Sequence, residues 1–220
     1  MAIRRTQWEG VFTDGPWLLT RNLVPGFAVY GESLPNEGGV EYRRWDANRS
    51  KLAAYLRSGG LQWPFRLETS VLYLGAGSGT TVSHLSDICV RGSITAIERS
   101  SRSFRDLLTL AERRTNLLPV LGDALKPESY GSRVESVEVL YQDVAQRDQG
   151  SIFLQNASFL RSGGTGFLMI KARSHDVAAE PRKVYAAIRK EVQAAGLEVL
   201  DVRPLDPFEN DHAALVVRKP

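Results

Sequence analysis

VLYLGAGSGTT, residues 71–81, joins a short apolar run to glycines at every second position. Gly75, Gly77 and Gly79 let the backbone turn tightly and approach a ligand, and the helix expected next offers its free N–H groups. A dinucleotide fingerprint needs its third glycine at residue 80, where this chain has Thr80. The spacing therefore favours S-adenosylmethionine over a nicotinamide cofactor, and an ordinary strand-to-helix turn is the alternative.

An acid follows at the position that a nucleoside cofactor requires. Glu98 ends the next apolar run, about 20 residues beyond the glycines, where a carboxylate can accept both hydroxyls of an adenosine ribose. The loop and the acid together strengthen the prediction of a cofactor site.

The composition describes a chain that can bury a substantial core. It has 220 residues, 43% of them hydrophobic, so we expect one main domain with a modest extension. No apolar run approaches the ~20 residues that span a bilayer, and the first ten residues lack the apolar stretch of a secretory signal. These features predict a cytoplasmic protein without membrane attachment.

The cysteine content and the net charge restrict which kinds of site the chain can carry. The single cysteine, Cys89, has apolar neighbours, so we expect a buried thiol and neither a disulfide framework nor a cysteine zinc site. A net charge of +3 permits nucleic-acid binding without requiring it.

The first part of the chain predicts a separate β unit. Short β-like pieces, divided by glycine and proline turns, indicate a small antiparallel domain over residues 1–46, followed by a second domain over residues 47–220. A helix is expected to begin after Asp46 as N-cap and to stop at Gly59-Gly60. The predicted pieces are Trp8–Phe12, Trp17–Thr20 and Phe27–Tyr30.

The rest of the chain alternates strands with helices, which predicts an α/β fold with an open, mostly parallel sheet covered on both faces. The last two strands are joined without a helix, so they should form an antiparallel hairpin at one edge. This is the Rossmann-like, seven-stranded sheet of class I methyltransferases. The predicted strands are 71–74, 93–97, 117–120, 137–141, 166–171, 198–202 and 212–217. The predicted helices are 80–88, 101–114, 149–161 and 181–195.

Several chemically active residues follow these strands directly. Ligands of open α/β sheets bind beyond the carboxyl ends of the strands, so Glu98, Asp123 and Asp143 should surround one cleft. Asp123 would accept a hydrogen bond from the adenine amino group, although an acid at this junction can equally be a helix cap or a turn residue. Lys171 closes one further strand and His212 begins the last one; the alternatives are an exposed charge for Lys171 and a hydrogen-bonded surface residue for His212.

The ordered motifs resemble the fibrillarin family, the RNA ribose 2′-O-methyltransferases of box C/D guide ribonucleoproteins, in its archaeal form. The resemblance covers nearly the whole chain. It is carried by residues 29–32, 42–45, 49–52, 74–88, 118–124, 141–146, 170–174 and 211–212.

The resemblance implies a bound S-adenosyl-L-methionine and a set of catalytic residues. No metal is required, since a sulfonium is already an activated leaving group. Together with Gly75 and Gly77, the expected cofactor contacts are Thr80, Thr81, Glu98, Arg99, Asp123, Ala124, Asp143 and Gln146. The catalytic set carries over to Lys51, Asp143, Lys171 and His212.

The resemblance also implies an assembly that selects the target nucleotide in pre-rRNA or tRNA. Base pairing by a box C/D guide RNA would choose the site, a Nop-domain scaffold protein would dock the enzyme, and a kink-turn-binding protein would anchor the RNA. Arg43, Arg44, Arg49 and Lys51 could form a basic lip for substrate phosphates, or only a solvated helix face. The alternatives are a methyltransferase acting on a protein side chain or unguided RNA, and a cofactor-binding scaffold.

Overall fold

The computed structural model describes residues 2–220, and its N-terminal part is a five-stranded antiparallel sheet. The strands lie in the order β1-β2-β3-β5-β4. They are β1 (Arg4–Arg5), β2 (Val11–Asp14), β3 (Trp17–Arg21), β4 (Asn36–Glu37) and β5 (Val40–Trp45). The predicted antiparallel β unit is confirmed, while its exact boundary at residues 46 and 47 stays a proposal.

Two of the predicted β pieces differ from the structure. Residues 8–10 form a turn, so that strand begins only at Val11, and Phe27–Tyr30 is not a strand. The N–H groups of Val29 and Tyr30 donate to the Glu32 carboxylate at 3.0 and 2.8 Å instead of entering a ladder. The missed strands are the two-residue strands β1 and β4 and the longer β5, whose charged sequence hides its buried positions.

The first helix, α1 (Lys51–Arg57), begins later than predicted. Ser50 is its N-cap, and its hydroxyl accepts the N–H of Ala53. Asp46 was the wrong cap, because its carboxylate accepts the N–H of Asn48 at 2.9 Å and closes a turn before the helix. Gly59, with φ of +85°, follows the helix end as expected.

A seven-stranded sheet forms the rest of the molecule, in the order β11-β12-β10-β9-β6-β7-β8. The strands β6 to β10 run parallel, and β12 pairs antiparallel with both β10 and β11, which confirms the edge hairpin. The strands are β6 (Ser70–Leu74), β7 (Ser93–Glu98), β8 (Leu117–Leu121), β9 (Val137–Gln142), β10 (Leu160–Lys171), β11 (Glu198–Pro204) and β12 (His212–Arg218).

Five further helices accompany this sheet. They are α2 (Thr80–Ile88), α3 (Ser101–Ala111), α4 (Gln149–Asn156), α5 (Ala172–His175) and α6 (Pro181–Ala194). β10 starts six residues earlier than predicted, through a register shift at Gly163-Gly164 that broke the apolar pattern. The predicted helix over 149–161 accordingly ends early, followed by a 3₁₀ turn at Ala157–Phe159.

Two apolar cores lie on opposite faces of this sheet, as alternate side chains of β6 illustrate. Val71 and Tyr73 pack with buried residues of α1, α2 and α3, whereas Leu72 and Leu74 pack with those of α4 and α6. The free thiol of Cys89 is buried, as predicted. Within residues 2–220, no helix combines the length and the apolar character needed to cross a membrane.

A buried group of charges, here called the junction cluster (Glu32, Arg43, Asp87 and Arg114), joins the N-terminal sheet to α2. Arg43 pairs with Glu32 at 2.6 Å and with Asp87 at 2.8 Å, and Asp87 also pairs with Arg114 at 2.7 Å. Two carboxylates therefore balance two guanidiniums. The prediction that Arg43 contributes to a basic lip is wrong, because its side chain is fully buried in this cluster.

Candidate active site

A cavity of about 600 Å³ lies where β6, β7, β8 and β9 end, at the carboxyl edge of the sheet. All ten residues expected to contact the cofactor line it. They are Gly75, Gly77, Thr80, Thr81, Glu98, Arg99, Asp123, Ala124, Asp143 and Gln146. The volume falls in the usual range for small-molecule sites.

The three glycines of the loop serve two different purposes. All have positive φ, between +58° and +104°. A Cβ on Gly75 would lie 2.7 Å from the carbonyl oxygen of Asp143, whereas one on Gly79 would collide with Leu110 of α3. A Cβ on Gly77 would meet no atom within 4 Å. Only Gly77 therefore leaves room on the cavity side, while the other two allow close packing of the protein itself.

Glu98 fixes the glycine loop as well as lining the cavity. Its Oε2 accepts the N–H of Gly77 at 2.7 Å, and its Oε1 accepts the N–H of Ser100 at 2.7 Å. A carboxylate has about four lone-pair positions, so each oxygen can accept another hydrogen bond. The carboxylate is thus held in place with capacity left for ligand hydroxyls.

Asp123 closes a turn and also faces the cavity. Its Oδ1 accepts the N–H of Leu125 at 3.1 Å, which is the turn role considered above, and its Oδ2 lies 3.6 Å from Nε of Arg99. Gln146 donates to Oδ1 through Nε2 at 3.4 Å, and the Oε1 of Gln146 is buried without a hydrogen-bond partner. The amide oxygen of Gln146 is therefore an unpaired acceptor that lies buried in the cavity wall.

Three predicted catalytic residues meet around one carboxylate. The Nζ of Lys171 lies 2.9 Å from Oδ1 of Asp143 and donates to the Asp143 carbonyl oxygen at 3.2 Å. The Nζ of Lys51 lies 3.3 Å from Oδ2 of the same residue. Each of these side chains is about 15% exposed, so they are partly withdrawn from water yet open to a substrate. Two amines therefore converge on one carboxylate at the edge of the cavity.

His212 lies beside this group without touching the carboxylate. In the antiparallel pairing of β10 and β12 it stands opposite Lys171, and its Nδ1 lies 2.7 Å from the carbonyl oxygen of Asn210. Glu209 is a further member of this group, and its two oxygens lie 4.0 Å from Nζ of Lys51 and 3.9 Å from Nδ1 of His212. No motif marked Glu209, because it stands in the irregular connection before β12.

Other cavity residues were also missed or only partly expected. Arg49, named only for the basic lip, lines the cavity and lies over the ring of Tyr30 at 5.1 Å. Tyr73 lines the cavity from within β6, and burial, aided by nearby Asp143, holds the pKa of its hydroxyl well above the usual value. The Thr81 hydroxyl donates to that of Ser50 at 2.9 Å and so connects the cofactor loop to the cap of α1.

This sheet order, with a glycine loop after β6 and an acid after β7, defines a class I S-adenosylmethionine-dependent methyltransferase fold. The sequence model named Fibrillarin matches residues 3–220, and the chain belongs to the fibrillarin family. The resemblance inferred from the motifs is thereby confirmed.

Individual relatives agree over the full length. The chain is 46% identical to the "Fibrillarin-like rRNA/tRNA 2′-O-methyltransferase" of Thermococcus sibiricus, with all of both chains covered. It is also similar to the crystal structure of Aeropyrum pernix fibrillarin with natively bound S-adenosyl-L-methionine, at a TM-score of 0.91 and 46% identity, covering 99% of this chain and 98% of that one. A crystal structure of a fibrillarin/Nop5p complex matches with a TM-score of 0.90 and 38% identity, covering 98% of this chain and all of the other.

The glycine geometry predicts unequal effects of two alanine substitutions. Gly77→Ala should lower the free energy of unfolding by about 1 kcal/mol, through the backbone strain of a side chain at positive φ. Gly75→Ala should cost about 1–3 kcal/mol more, because its Cβ must displace the Asp143 backbone. Urea unfolding measures the difference. Equal losses in the two variants would show that the approach to Asp143 does not constrain residue 75.

Proposed function

We propose that this chain is an RNA ribose 2′-O-methyltransferase, the catalytic subunit of a box C/D guide ribonucleoprotein. The observation that carries the proposal is the meeting of Lys51, Asp143 and Lys171 at the edge of the cofactor cavity. A cation and an amine that can accept a proton, placed on either side of one carboxylate, suit a hydroxyl nucleophile that belongs to a phosphodiester chain.

The cavity supports S-adenosyl-L-methionine as the cofactor. Glu98 would accept the ribose hydroxyls, and Asp123, with Gln146 beside it, would accept from the adenine amino group. The N–H groups at the start of α2, next to Thr80 and Thr81, would hold the carboxylate of the methionine moiety. When bound, this cofactor would supply a methyl group on a sulfonium, whose methyl–sulfur bond breaks so that the sulfur leaves as a neutral thioether.

The residues around Asp143 would orient the target hydroxyl and remove its proton. Lys171 accepts the proton of the 2′-hydroxyl at Nζ as that oxygen bonds to the methyl carbon. Asp143 holds the Lys171 side chain in place through its carboxylate and its backbone carbonyl. Lys51 and His212 steady the ribose and the adjacent phosphate, so that the oxygen is held in line for the attack.

The partners are proposed from the relatives. The fibrillarin/Nop5p complex supports a Nop-domain scaffold as the docking partner, and the curated relatives' names give rRNA and tRNA as the substrates. A guide RNA that selects the nucleotide and a kink-turn-binding protein that anchors it complete the proposed assembly. We place this assembly in the cytoplasm of an archaeal cell.

Transfer of a labelled methyl group tests the proposal. The chain is incubated with labelled S-adenosylmethionine and a guide-matched RNA, alone and together with the scaffold, the kink-turn-binding protein and the guide. We expect label at one nucleotide, and in the full assembly only. The phosphodiester bond after that nucleotide should resist alkaline cleavage, because the methylated 2′-oxygen cannot attack it. A guide shifted by one nucleotide should move the label by one nucleotide.

Other outcomes would support the alternatives. Label on unguided RNA or on protein would point to another substrate of the same chemistry. A bound cofactor without transfer in any mixture would favour a cofactor-binding scaffold and contradict the proposal.

A further inference from the structure

Gln149 binds the backbone of Lys171 with both ends of its side-chain amide. Its Oε1 accepts the N–H of Lys171 at 2.8 Å, and its Nε2 donates to the carbonyl oxygen of Lys171 at 3.0 Å. Gln149 is fully buried and is the first residue of α4. A side-chain amide that binds both the N–H and the carbonyl of one residue replaces the two hydrogen bonds that a neighbouring strand would make.

This pair of hydrogen bonds lies where the sheet lacks a strand. β10 pairs with β9 only as far as Leu168, opposite Gln142, whereas its pairing with β12 continues to Lys171, opposite His212. The last three residues of β10 therefore have no partner from β9. Without Gln149, the N–H and the carbonyl of Lys171 on that side would be left without these hydrogen bonds.

Gln149 is itself fixed from two directions. Its carbonyl oxygen accepts a hydrogen bond from Nε2 of Gln142 at 2.8 Å, and Gln142 is fully buried as well. The next residue, Gly150, packs so closely on Glu191 of α6 that a Cβ would collide with the carboxylate. The backbone that carries the Gln149 side chain is thus held both by the sheet and by α6.

We propose that Gln149 is a positioning residue for Lys171, which holds the end of β10 so that the amine reaches Asp143. The inference rests on the proposed function of Lys171 as proton acceptor. Gln149 does not line the cofactor cavity. Its loss should therefore reduce turnover and leave cofactor affinity unchanged.

Gln149→Leu, which keeps the approximate size and removes both hydrogen bonds, tests this role. In the full assembly we expect kcat to fall about 100-fold, as for a reacting group misplaced by about 1 Å, with the KM for S-adenosylmethionine unchanged. Hydrogen exchange at the Lys171 amide should become faster in the chain alone. Gln149→Glu, which keeps the acceptor for that amide but loses the donor when ionised, should recover part of kcat.

Two control variants lie on the same helix. Gln155→Leu changes an exposed glutamine and should have no effect, while Ile152→Ala removes buried apolar contacts, leaves both hydrogen bonds of Gln149 in place and serves as the control for a loss of stability. An equal fall in kcat for Ile152→Ala and Gln149→Leu would overturn the proposal, as would unchanged exchange at Lys171. If the unaltered assembly transfers no methyl group, the proposed function fails, and the exchange measurement alone still decides whether Gln149 holds Lys171.

Discussion

Lys171→Ala is expected to lower kcat for methyl transfer by about 1,000-fold or more while the protein still binds S-adenosylmethionine. The amine is the group proposed to take the proton from the ribose hydroxyl, and losing such an acceptor typically costs 10²- to 10⁴-fold. The cofactor cavity keeps its glycine loop and Glu98, so binding should survive. Single-turnover transfer in the full assembly, with calorimetry for cofactor binding, measures both properties.

A second substitution separates proton transfer from charge. Lys171→Arg keeps a positive charge but provides a guanidinium that does not give up its proton, so it should be as inactive as the alanine variant. Lys183→Ala, an exposed lysine on α6, should retain full activity. Substantial activity in Lys171→Arg would show that the residue acts by its charge and would contradict its role as proton acceptor.

Asp87→Ala should lower the free energy of unfolding by about 3–5 kcal/mol. Asp87 pairs with both guanidiniums of the junction cluster, and all three side chains are fully buried. Its removal leaves Arg114 as a buried cation without its ion-pair partner, and burial already lowers the pKa of that group. Urea unfolding followed by fluorescence measures the loss.

An exposed ion pair provides the comparison. Arg66 and Glu9 also lie 2.8 Å apart, but their side chains are 66% and 49% exposed, so Arg66→Ala should cost at most about 1 kcal/mol. A similarly small loss in Asp87→Ala would mean that water or another group replaces the missing carboxylate. The junction cluster would then not be a principal source of stability.

The fold and the cofactor cavity could be predicted from sequence because their signals are local. Strand, glycine loop and strand-end acid follow one another in order, and parallel strands bring their carboxyl ends to one edge. Lys51 carries no such signal, since it stands on a helix before the first strand of the main sheet. Only the resemblance to fibrillarin identified it.

The errors have two physical causes. Phe27–Tyr30 looks like a strand, yet Glu32 satisfies its N–H groups, and Asp46 looks like a helix cap, yet Ser50 performs that role. Gln149 gave no signal, because its partner lies 22 residues away at the end of another strand. The first two depend on local side-chain hydrogen bonds over two or three residues, which compete with regular structure, whereas the third depends on a tertiary contact.

The junction cluster also limits how freely this protein could be recombined with its relatives. Glu32 and Arg43 come from the N-terminal unit, whereas Asp87 and Arg114 come from the main domain. A chimera that brings in a foreign N-terminal unit inherits only half of the charge balance, even if every proposed catalytic residue is native. Whether a foreign N-terminal unit is compatible with this main domain would thus be decided away from the active site. The relative that supplies the unit must provide a buried acid and a buried arginine at the positions of Glu32 and Arg43.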